Sequence, residues 1–143
     1  MVSSFSKNQD LQNMKIFILH ALQDDSYFQH LLKHLHPLQQ QGLIEVGHSQ
    51  KILAGYKTQE TLWQQLSSAN IIIPLLSADF LVDDANVSVI EAEHKRRNVL
   101  VLPVLLRYCQ WELTFFKDFK ILPDSNYPLQ DNHWKSADYA MDL

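Results

Sequence analysis

A chain of 143 residues is long enough to bury one substantial core and fits a single domain. Its formal net charge of −4, with 12 lysines and arginines scattered along the chain, supplies no basic stripe for a phosphate backbone and argues against a nucleic-acid partner. Cys109 is the only cysteine, so no intramolecular disulfide can form; no stretch approaches the roughly 20 apolar residues of a membrane span, and residues 1–11 lack the pattern of a signal peptide, so the chain reads as cytosolic.

Short β-branched runs alternate with longer helical patterns, the signature of an α/β fold. Residues 14–19 (MKIFIL) are apolar enough for a strand covered on both faces of a parallel sheet. The acidic turn Gln23-Asp24-Asp25-Ser26 offers helix N-caps and negative charge at the positive helix end. Tyr27, Phe28, Leu31, Leu32, Leu35 and Leu38 then recur at helical spacing until the region of Pro37 and Gly42. Residues 43–46 are a short second strand, and HSQKILAGY, residues 48–56, is a loop in which Gly55 supplies backbone freedom. Thr58 opens the next helix, with Leu62, Trp63 and Leu66 expected inward.

Residues 70–76 (NIIIPLL) read as a central strand even though Pro74 cannot donate to a ladder. The stretch that follows sits where parallel sheets leave a crevice for ligands, at the carboxyl end of a strand. A short helix carries Glu91 and Glu93. If Val87, Val89 and Ile90 define its buried direction, Glu93 lies roughly 55° from the centre of that face and Glu91 roughly 105°, at its margin. Residues 99–106 (VLVLPVLL) supply a fourth strand, residues 127–129 a brief fifth, and residues 135–143 begin a helix; Phe115, Phe116 and Phe119 cover a core edge. With three glycines and neither GxGxxG nor GxxxxGK[ST], Rossmann-type and Walker-type nucleotide binding lose their main support.

The order of these segments resembles a family, the bacterial Toll/interleukin-1 receptor (TIR) domains. The matching pieces are KIFILHALQDDSYFQHLLKHLHPLQQQGLIEV, KILAG in the loop before the second helix, ANIIIPLLSADFL, and VLPVLLRYCQW followed by ILP. The likeness covers nearly the whole chain, and its specificity lies in the order and spacing of pieces that are individually common. It implies a flavodoxin-like three-layer sandwich with about five parallel strands. In many bacterial members it also implies an activity that splits the nicotinamide–ribose bond of NAD+, with NAD+ as substrate and no cofactor or metal. Such members use the glutamate that follows an S-x-D-F segment. Here Ser77, Asp79 and Phe80 match that segment, and Glu91 is the best match for the catalytic acid, with Glu93 the alternative. The match to Glu91 takes a small insertion near residues 83–86.

The chemistry gives its own reason to want a carboxylate there. Breaking the bond to nicotinamide builds positive charge on the ribose, which an anion stabilises most in the transition state. Nicotinamide leaves as a neutral molecule, so the second carboxylate of ordinary glycosidases has no proton to deliver.

His20, Leu22, Lys51 and Leu53 follow the carboxyl ends of the first two strands and are expected around the crevice, with Ser77 and Phe80, as substrate-binding residues. Lys51, Ile52, Leu53, Ala54 and Gly55 correspond to the family's BB loop, which implies self-association head to tail. The resemblance also implies a fused or separate sensor and a role in bacterial immune or anti-phage defence.

The chain departs from the family pattern at several places. Val87 stands four residues before Glu91 where an aromatic is usual, Ala54 replaces a proline, Thr58 a tryptophan, and Leu19-His20-Ala21 stands where serine-tyrosine is usual. A second function class stays open beside the enzyme, a TIR domain acting purely as an association module. A phosphate-accepting receiver is a weaker reading, because no aspartate ends the second or third strand. The His30, His34 and His36 cluster reads as solvated and lacks the HExxH pattern, and Cys109 reads as structural beside Trp111.

Overall fold

The apolar run MKIFIL forms β1 (Met14–Leu19), and its side chains alternate between two cores as a strand's period of two requires. Ile16 and Ile18 join Phe28, Val46, Leu75 and Leu106 on one face. Phe17 and Leu19 join Leu66, Ile72, Leu76, Phe80 and Ile90 on the other. A strand buried on both sides belongs to the middle of a sheet flanked by helices, and the computed structural model, which describes residues 14–48 and 58–129, has that architecture.

Helix α1 (Asp25–Gln40) buries Phe28 completely, with Tyr27, Leu31, Leu32 and Leu35 packed beside it. Its end is fixed by Gly42, which takes the left-handed φ of 74° that other residues resist. The Gly42 N–H donates to the Gln39 carbonyl and the Leu43 N–H to the Leu38 carbonyl, both at 3.0 Å, so two free helix-end carbonyls are satisfied. Strand β2 (Ile44–His48) runs two residues past its expected end and pairs parallel with β1. Its Gly47 lies opposite Phe17, where a Cβ would stand 3.1 Å from the ring.

Helix α2 (Thr58–Ser67) buries Leu66, but Trp63, expected inward, is 47% exposed. Three residues apart on a helix leaves the two side chains roughly 60° out of line, enough to bring the larger one to the margin. Strand β3 (Ile71–Leu76) is central, pairing parallel with β1 on one side and with β4 (Leu100–Val101) and β5 (Val104–Leu105) on the other.

The expected fourth strand is thus broken into two pieces. The register runs unchanged through the gap, so Pro103 stands opposite Pro74, and neither residue has an N–H to give. Bonds from Leu102 N–H to Ile72 and from Leu106 N–H to Leu76, both 2.9 Å, keep the pieces on one line.

Residues 127–129 form no strand. The outermost sheet position is instead a single parallel bridge between Val104 and Leu122, and Pro123 ends pairing directly after it because it has no N–H. Leu129 donates its N–H to the Leu105 carbonyl at 2.9 Å, and its side chain is buried in the core with Ile16, Ile18 and Leu75.

Helices α3 (Ala78–Leu81) and α4 (Asp84–Arg97) follow β3 and cover the second face with α2 and with Phe115, Phe116 and Phe119. The sheet order β2-β1-β3-β4, with β5 continuing the outer line, and helices on both faces make this a flavodoxin-like three-layer fold. Among the described residues no helix is long and apolar enough to cross a membrane. The loop with Lys51, Ile52, Leu53, Ala54 and Gly55, and the helix expected at 135–143, lie outside the described residues.

Candidate active crevice at the strand ends

The order β2-β1-β3 means that the chain leaves β1 toward one edge of the sheet and returns to β3 on the other side of it. Loops at the carboxyl ends of β1 and β3 therefore diverge, and such a switch point is where open parallel sheets bind ligands. Three loops meet there. His20 to Asp25 follow β1, Ser77 to Asp79 follow β3, and Arg107 stands two residues beyond β5.

A polar cluster ties these loops together. Asp24 is 1% exposed and holds the N-cap position of α1, yet its carboxylate makes no capping bond. It accepts instead from Ser77 Oγ at 2.5 Å and from Arg107 Nη2 at 2.6 Å. The same Arg107 nitrogen donates to Asp79 Oδ2 at 2.9 Å. Hydrogen bonding to Asp79 first, and the charges of Asp24 and Asp79, raise the guanidinium's pKa against the cost of its burial. An aspartate this deeply buried requires such neutralisation.

Ser77 is fully buried and caps α3, its Oγ accepting from the Phe80 N–H at 3.2 Å. Phe80 is buried in the core beneath. Both are structural supports of the crevice as it stands here. The His20 ring is stacked on Phe28, centroids 4.1 Å apart, with Nε2 3.3 Å from Asp25 Oδ1. Burial lowers its pKa below the ordinary histidine value, against the opposing pull of Asp25 and Asp24. Leu22, in contrast, is 76% exposed at the rim.

The two glutamates of α4 separate cleanly. Glu93 is 1% exposed and takes bonds from Arg96 Nε and Nη2 at 3.1 and 2.9 Å and from Arg97 Nε at 2.7 Å. Burial pushes its pKa up, but the two arginines outweigh it and the net direction is down. Arg97 also donates to the carbonyls of Leu66 and Ala69 around the end of α2, just before the start of β3, so this cluster sits at the amino ends of the strands, opposite the loops that follow their carboxyl ends. Glu91 is 38% exposed by its side chain and pairs with Lys95 at 2.9 Å. It lies two turns into α4, about 10 Å of helix rise from the start of that helix.

The residues at the centre of the cluster, Asp24 and Arg107, were not among those expected at the site. Their signal in the sequence is positional, since an acid pair, a serine and an arginine each closely follow an apolar strand run that ends on the same edge of the sheet. Cys109 packs against the same core as Trp111, and burial raises its thiol pKa, which disfavours the thiolate form. His30 and His34 meet edge to face at 5.2 Å. Among the described residues no group of three or more histidine, cysteine or acidic side chains is arranged to hold a metal ion.

No family model matches the chain. It is similar to the uncharacterized protein y4lF of Sinorhizobium fredii (strain NBRC 101917 / NGR234), 28% identical over 129 residues that cover 87% of this chain and 39% of that protein. The chain thus spans about two fifths of the length of the relative it matches.

Proposed function

We propose that the chain is a TIR-like NAD+ nucleosidase that works when clustered, with the dinucleotide entering the crevice beyond β1 and β3 and Glu91 as the carboxylate that stabilises the ribosyl cation. The products are nicotinamide and ADP-ribose, linear or cyclic, and the biological setting implied by the resemblance is bacterial immune defence. The observation that carries the choice of acid is the contrast between the two glutamates. Glu93 is buried and its charge is offset by two arginines, leaving little field for a substrate. Glu91 is partly exposed in a surface pair with Lys95, which the cationic nicotinamide end of the substrate displaces at small cost.

A second reading, a TIR association module without catalysis, is favoured by exposed apolar side chains in the segments that follow the strands. Leu22, Val82 and Leu113 are 76%, 78% and 80% exposed in the segments that follow β1, β3 and β5. Both readings are tested by NAD+ loss and nicotinamide release from the artificially clustered chain, with Glu91→Ala and Glu93→Ala compared at equal amounts of folded protein. Turnover abolished by Glu91→Ala alone supports the enzyme and its acid. Absence of turnover in every clustered form overturns the activity and leaves the association module.

A further inference from the structure

The backbone ladder between β1 and β3 ends at the Leu19 and Pro74 pair, so the spacing of the loops above it is set by side chains. We infer that Arg107 is the positioning residue of the crevice, an inference that rests on the NAD+-cleaving reading. From its own place beyond β5 it joins Asp24, beyond β1, to Asp79, beyond β3, through the single nitrogen Nη2. The bonds continue inward, since Asp24 holds the Ser77 hydroxyl and Ser77 holds the first turn of α3 through the Phe80 N–H. One guanidinium therefore sets the relative positions of three loops and a helix start.

The asymmetry of exposure separates this arrangement from an ordinary surface ion pair. Asp24 is buried while Asp79 and Arg107 reach the surface, with side chains 39% and 33% exposed. Asp24 anchors the guanidinium, and the Asp79 end faces whatever enters the crevice. Because one nitrogen serves both acids, a lysine ammonium with its three donors is able to replace it, whereas methionine fills the space of the stem without the charge.

The test uses the full chain, clustered as above, with Arg107→Met, Arg107→Lys and Asp79→Asn. Asp79→Asn leaves the Asp24 and Arg107 pair intact, so its melting temperature should match the unaltered chain while KM for NAD+ rises roughly tenfold or more and kcat changes less. Arg107→Lys should recover most of what Arg107→Met loses. Hydrogen exchange gives a readout independent of turnover: in Arg107→Met the Phe80 amide loses protection while the amides of β1 and β3 keep theirs. Unaltered KM in both Arg107→Met and Asp79→Asn overturns the inference, and so does unaltered Phe80 protection. Loss of that protection in a chain whose unaltered form turns over no NAD+ overturns the activity but supports the clamp.

Discussion

Ser77 shows how much one hydroxyl holds at the crevice. It caps α3 and donates to a buried carboxylate, so Ser77→Ala removes a cap and leaves Asp24 one donor short. A lost cap costs about 1 kcal/mol and a lost hydrogen bond to a charged group about 1.5–3 kcal/mol, and shared geometry makes the sum less than additive. The expected loss is about 2–3 kcal/mol, read from urea unfolding; a loss below about 0.5 kcal/mol would show that the hydroxyl is not the support described. The role of Ser77 was half legible in the sequence, because a serine directly after IIIPLL and before ADFL marks a helix start. Its carboxylate partner was not, since Ser77 and Asp24 are 53 residues apart and no local period announces a pairing at that separation. Asp24 instead resembled a capping acid, the role it leaves for Ser77 and Arg107.

At the scale of elements, α4 separates two acids that sequence patterning left open. The estimated face angles, about 55° for Glu93 and 105° for Glu91, agree with a buried Glu93 and a marginal Glu91. What the pattern did not contain was the pair of arginines that makes burial of Glu93 tolerable. Removing one partner of a buried pair costs about 3–5 kcal/mol; here Arg96 is half exposed and regains water, so Glu93→Ala should cost about 2–3 kcal/mol. Glu91→Ala, losing an exposed pair with Lys95, should stay within about 0.5 kcal/mol of the unaltered chain. Equal losses in the two variants, measured by urea unfolding, would contradict this division of labour. The strands were legible from their apolar runs, and β1, β3 and the start of α2 fall where expected. The outer edge was less so. Pro103 opposite Pro74 breaks the fourth strand, and the fifth position shrinks to Leu122, because pairing across a sheet depends on what stands opposite and not on the run alone.

For the molecule as a whole, the buried and half-buried titratable groups of shifted pKa among the described residues set a pH range of greatest stability. His20 has a pKa lowered from the ordinary 6.5 by burial, so the unfolded chain takes up a proton first on acidification. The stability tied to neutral His20 is complete above pH 6.5 and is lost as pH falls from there through its folded value. Glu93 acts in the same direction further down: its pKa lies below 4.5, and its contribution is present above that pH and disappears as pH falls through the lowered value. On the alkaline side burial raises Cys109 above 9.0 and Tyr27 above 10.0, so the unfolded chain releases those protons first and stability falls as pH rises past 9. Urea unfolding across pH should therefore give a plateau from about 6.5 to 9 with shoulders on both sides. The first acid shoulder belongs to a ring stacked on Phe28 and bonded to Asp25, at the edge of the crevice itself. His20→Gln should flatten the slope just below pH 6.5 while leaving the lower shoulder of Glu93 in place. Stability that is level from pH 5 to 6.5 in the unaltered chain would show that His20 does not carry this part of the curve.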